Sequence, residues 1–127
     1  MIIAAYLYWP VIYLAIVLPF IVPRLPTWDH VPFALAAAIV GGYVALLLAA
    51  GRGRDHGRIA LHALGIAVGV DAFTLLVAGV RRPGQTLAAA FDPWEALVTG
   101  AHAVVAWICL EAGRALGRLA GTRRRAA

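Results

Sequence analysis

Charge is what this chain has least of: 13% of its 127 residues are charged and 63% are hydrophobic, against about 25% charged in ordinary soluble domains. A soluble globular core does not explain that composition. Lysine is missing altogether, so all 11 cationic side chains are arginines. Cys109 is the only cysteine, which excludes an internal disulfide and a thiolate metal site, and no metal is expected. No HExxH, phosphate-binding glycine loop or serine nucleophile motif occurs, so the usual signatures of hydrolases and NTPases are lacking. The isoelectric point near 10.4 invites a nucleic-acid reading. The arginines lack the aromatic or groove-reading neighbours that such a partner needs, and no nucleic acid is expected.

What is present is apolar sequence in long runs. Four stretches, 2–23, 31–51, 59–80 and 94–114, are nearly free of charge, and each is long enough for a hydrocarbon core of ~30 Å. The expected fold is all-α: a polytopic membrane protein forming a four-transmembrane-helix bundle in one domain over 1–127, with a basic tail at 115–127. The first stretch lacks a basic leading region and a small-residue cleavage site, so it should remain as a helix. Arg52, Arg54, Arg58, Arg114, Arg118, Arg123, Arg124 and Arg125 fall on one side, and Arg24, Arg81 and Arg82 on the other. The positive-inside rule then puts both termini in the cytoplasm of a multi-pass cell-membrane protein whose first partner is the lipid bilayer.

The third stretch alone carries an acid in its middle, Asp71. An ionisable group at that depth costs ~2.5–3.5 kcal/mol unless it is neutralised, paired or hydrated. If the third and fourth helices run antiparallel between the same interfaces, residues at equal depth have numbers summing to about 173. That rule sets His102 level with Asp71, and Glu111 level with His62 nearer the other surface. Nine residues separate the two polar positions on each helix, about half a turn out of phase, so straight helices cannot face both pairs into one seam. Glu111 has Arg114 and Arg118 on its own face and reads as a locally paired interfacial acid. Asp71 and His102 form the candidate polar centre, with Tyr13, Thr74 or water as alternative partners for Asp71. His62, Glu111 and Glu95 are second candidates, and Glu95 with Asp92 is placed to pair with Arg81 and Arg82.

Around that centre, Tyr6, Trp9 and Tyr13 share a face of the first helix, and Pro10 should kink it. The second helix carries no side chain with chemistry, but Gly41 and Gly42 permit close backbone approach. Gly65 and Gly69 give the third helix a GxxxG face for a neighbouring helix. The second outer loop could hold a short interfacial helix at 86–91. The loop at 51–57 reads as a turn that exposes Asp55 and His56, and His30 in the first outer loop reads as a solvated histidine.

Four function classes are compatible with these residues. A small integral subunit, assembling with other membrane subunits or as a homo-oligomer, explains the size, the short connections and the smooth helix faces with least added. No cofactor is expected. A b-type haem would use His62 and His102, which the depth rule separates by ~13 Å along the normal, so a second chain would have to supply one axial ligand. A proton-coupled transporter would use Asp71 and His102 as its relay and would also require an oligomer. Finally, Asp71 followed past a loop by Pro93-Trp94-Glu95 resembles the paired acids of membrane carotenoid cyclases, which protonate a polyene. That resemblance covers about 25 residues and departs at Ala96, where the family pattern has a second adjacent acid. It implies an intramembrane enzyme acting on an isoprenoid.

Overall fold

The computed structural model describes residues 1–16, 33–81 and 93–126. Four helices follow one another: α1 (Ile2–Ile16), α2 (Phe33–Gly51), α3 (His56–Arg81) and α4 (Pro93–Ala126). No strand occurs among the described residues. Three segments, Phe33–Gly51, His56–Val77 and Pro93–Thr122, are long and apolar enough to cross a membrane, while Ile2–Ala15 is a shorter apolar helix. The remainder of the first stretch, both outer loops and the expected helix at 86–91 lie outside the described residues.

Two helix boundaries differ from the sequence expectation, and each has a local cause. α3 starts at His56 rather than 59 because Asp55 caps it, its Oδ1 accepting the Arg58 backbone N–H at 2.8 Å and its carbonyl the Ile59 N–H at 3.1 Å. Such a cap satisfies donors that the first turn leaves open. α4 does not stop at 114 but continues through the basic segment to Ala126, since alanine, leucine and arginine are all strong helix formers. Its 34 residues extend about 51 Å. Pro93 opens α4, where a missing N–H is no loss, and Glu95 lies in the first turn, where the helix dipole favours an acid. Between α2 and α3 the chain turns through Gly53, whose φ of 74° is left-handed and would strain any residue with a β-carbon.

α4 packs along both α2 and α3, and α1 leans on the same two helices. α3 and α4 run antiparallel, with Asp71 against Thr99 and His56 against Glu111. α1 runs parallel to α3, and α2 parallel to α4, as the contacts Tyr6–His62, Tyr13–Phe73, Tyr43–His102 and Gly51–Leu110 show. Leu47, Ile59, Ile66 and Leu110 are fully buried in a shared core with Ala5, Tyr43, Ala50, Ala63 and Ala106. Lipid tails are as apolar as these side chains, so in a bilayer such burial stabilises through close packing rather than water exclusion.

Among the described glycines, the tightest approach of one helix backbone to another lies where the sequence did not point. A β-carbon built on Gly51 would stand 1.9 Å from the Leu110 carbonyl oxygen, and one on Gly113 would stand 1.9 Å from that of Leu48. The contact is reciprocal: each glycine of one helix receives the carbonyl three residues before the glycine of the other. The expected sites behave differently. Gly41 has open space around it, Gly42 receives the Tyr8 hydroxyl, and the Gly65–Gly69 face is filled by Tyr6 of α1. An aromatic side chain of the same chain therefore occupies the surface that the GxxxG spacing assigned to a neighbouring backbone.

Candidate functional site

The side chains that could carry chemistry collect in two clusters, one in the half of the bundle away from the arginine-rich end and one at that end. In the first, the Thr99 hydroxyl meets Asp71 Oδ2 and also lies 2.9 Å from the Glu95 carbonyl. A hydroxyl has one proton to give. The Asp71 carboxyl oxygen and the Glu95 carbonyl therefore compete for the Thr99 proton. Glu95 thus enters the cluster through its backbone. Thr74, the alternative partner for Asp71, instead donates to its own helix at the Val70 carbonyl.

His102 lies one turn further along α4 and bonds to Tyr43 rather than to Asp71: Tyr43 Oη and His102 Nε2 are 2.8 Å apart. Trp9 also hydrogen-bonds the Tyr43 side chain. An indole N–H can only donate, so Tyr43 accepts from Trp9 and passes its own proton towards His102 Nε2. Tyr8 stacks on Tyr43 with centroids 5.3 Å apart and donates to the Ile39 carbonyl at 2.6 Å. The expectation that α2 carries no side chain with chemistry is corrected by Tyr43, which is only 4% exposed. Asp71 still acts on His102 electrostatically, but no hydrogen bond joins them among the described residues.

The depth rule assumed that α3 and α4 begin and end at the same two levels. α4 instead runs on to Ala126, and Thr99, one turn before His102, stands opposite Asp71.

At the arginine-rich end, Arg54 Nη1 lies 3.2 Å from His62 Nε2, while Tyr6 Oη lies 3.2 Å from His62 Nδ1. Arginine only donates, so Nε2 accepts, the ring is neutral and its proton sits on Nδ1, facing Tyr6. Arg54 Nε also donates to the Ala50 carbonyl at 2.8 Å, covering the C-terminal end of α2. Glu111 is not joined to His62. It accepts from His56 Nδ1 at 2.6 Å and from Arg114 Nε at 2.7 Å. The local pairing with Arg114 is the one that its i, i+3 spacing indicated.

Between the clusters lies an apolar plug. Leu47, Ile66, Ala106 and Leu110 are each 0% exposed and occupy the depths between His102 and Glu111 on α4 and between His62 and Asp71 on α3. Chemically, then, the first cluster holds two separate hydrogen-bonded pairs, Asp71–Thr99 and Tyr43–His102, and the second can hold opposite charges near a surface. The described residues include no group of three His, Cys, Asp or Glu side chains able to hold a metal ion. Sequence reasoning missed Thr99, Tyr43 and Arg54. Thr99 was legible, since it stands three residues before His102 on the same face of α4, whereas Tyr43 and Arg54 acquire their roles from other helices. Comparison with protein-family models, with curated proteins and with solved structures finds no match for this chain.

Proposed function

We propose that this chain is a non-catalytic integral membrane component that assembles with other membrane subunits or with copies of itself, crossing the cell membrane four times with both termini cytoplasmic. The observation that carries this reading is the closure of the polar groups within the chain. Asp71 is met by Thr99, His102 by Tyr43, His62 by Tyr6 and Arg54, and Glu111 by His56 and Arg114. Pairs of this kind fix helix register in a bundle. The outward faces support the same reading: Leu61, Leu64 and Val68 on α3 and Val104, Val105 and Ile108 on α4 are exposed, and Gly41 and Gly100 present open small-residue positions to a neighbour.

The test is gentle extraction from the native membrane, followed by native mass spectrometry, identification of co-purifying proteins and an absorption spectrum. A complex with other subunits, or a defined homo-oligomer, is expected. A strictly monomeric chain overturns assembly, while a haem or polyene absorption band transfers the reading to the redox or isoprenoid alternatives. The topology is tested separately, with single cysteines at His56 and Gln85 in a Cys109→Ala background. An impermeant maleimide is expected to reach them from opposite sides, as the eight-to-three arginine split requires. Labelling of both from one side would rule out four spans.

A second reading, as the proton-handling part of an oligomeric transporter, is favoured by one feature: two hydrogen-bonded pairs, Asp71–Thr99 and His102–Tyr43, stand one turn apart along α4. The apolar plug counts against a path through a single chain.

A further inference from the structure

A cavity of about 470 Å³ opens at the arginine-rich end, between the end of α2 and the second half of α4. It has the size of small-molecule sites. Arg52, Arg114 and Arg118 line it together with Gly53, Gly117 and Gly121. The glycines keep it open: β-carbons on Gly53 and Gly121 would meet nothing within 4 Å, and one on Gly117 would already touch the Arg52 stem at 3.4 Å. Its charge is poorly compensated. Arg114, 11% exposed, is clamped through Nε by Glu111, yet its Nη1 is buried and has no hydrogen-bond partner. Among the described residues neither Arg52 nor Arg118 has an acidic partner. The wall is also amphipathic, since Leu116 lines the cavity and Leu119 is exposed one turn of α4 from it.

We propose that this cavity binds the phosphate headgroup of an anionic lipid, with the guanidinium groups on the phosphate and the leucines against the glycerol and upper acyl region. Guanidinium groups match phosphate oxygens in charge and geometry. The nearly charge-free stretch of α4 ends at Arg114, so the residues that line the cavity follow directly on the apolar segment, at the depth of a headgroup. Basic pockets between membrane helices recognise anionic headgroups in this manner. A soluble phosphate would use the arginines but gain nothing from the leucines.

The experiment measures lipid retention by native mass spectrometry after reconstitution of the full chain in nanodiscs of equal phosphatidylglycerol and phosphatidylcholine. Wild type is expected to retain phosphatidylglycerol in preference to phosphatidylcholine. Arg52→Gln and Arg118→Gln, both at exposed positions, should each lower that preference roughly fivefold. Gly121→Leu fills the cavity while leaving every charge in place, and should lower it as well. Arg58→Gln, at an exposed arginine paired with Asp55 outside the cavity, should leave it unchanged. Equal retention of the two lipids in wild type overturns the proposal, as does wild-type preference in Gly121→Leu, which would mean that diffuse surface charge selects the lipid. Displacement of the lipid by millimolar inorganic phosphate would assign the site to a soluble anion and overturn it too.

Discussion

Gly113→Leu is expected to prevent the native bundle from forming. The β-carbon alone would stand 1.9 Å from the Leu48 carbonyl oxygen, and that oxygen belongs to helical backbone rather than to a side chain that can swing away. α2 and α4 would have to separate, and the reciprocal contact at Gly51 would open with them. Overpacking a core commonly costs about 1–3 kcal/mol when side chains can adjust; here they cannot, so the penalty should exceed that range. Gly113→Ala gives the graded version of the test, since it should lower stability by at least ~2 kcal/mol. Gly121→Ala, into open space on the same helix, should be neutral or stabilising by ~0.5–1 kcal/mol. Unfolding in detergent followed by circular dichroism separates them. If Gly113→Ala falls within ~0.5 kcal/mol of Gly121→Ala, the backbone crossing is not where the structure puts it.

His102→Ala is expected to cost more stability than Asp71→Ala, although the acid is the costlier residue to insert. Removing Asp71 leaves Thr99 with the Glu95 carbonyl as an acceptor. Removing His102 leaves the proton of Tyr43, on a ring that is 4% exposed, with no acceptor, at a cost of ~1–3 kcal/mol. Tyr43→Phe in the His102→Ala background deletes that stranded group and should recover part of the loss. A double-mutant cycle of Asp71 with Thr99 should show coupling of roughly 0.6–1.7 kcal/mol, and the cycle of Asp71 with His102 should show less. A further loss on adding Tyr43→Phe, or a larger coupling between Asp71 and His102, would contradict this arrangement.

Helix identity was legible in this chain because nothing else competes with it: the apolar segments of α2, α3 and α4 are interrupted only by Asp71, His62, His102 and the groups at their ends. The pairing of Glu111 with Arg114 was legible for a local reason, their one-turn spacing. Asp71–Thr99 was less so, because register between two helices is set by side-chain packing along their whole contact, which the limits of the apolar runs do not show. Gly51 and Gly113 were not legible at all. Each stands near the end of its apolar run, 62 residues from the other, and no local spacing links them, whereas Gly65 and Gly69 present a familiar spacing that a tyrosine from α1 fills. Tyr43 was overlooked because a phenol in an apolar helix has no polar role until a second helix brings an imidazole to it.

The Gly51–Gly113 crossing also makes α4 a lever. Backbone touches backbone at that point, while nearer the other end α2 and α4 are held apart by the rings of Tyr43 and His102. A change in the tilt of α4 therefore turns about Gly113 as its fulcrum. The arm from Gly113 to Ala126 is about 20 Å long and the arm back to Pro93 about 30 Å. A swing of roughly 10° would carry the tip at Ala126 by about 3.5 Å. Displacement of the aromatic wedge around His102 would thus be felt as sideways travel of the basic tip, with the direction reversed across the fulcrum.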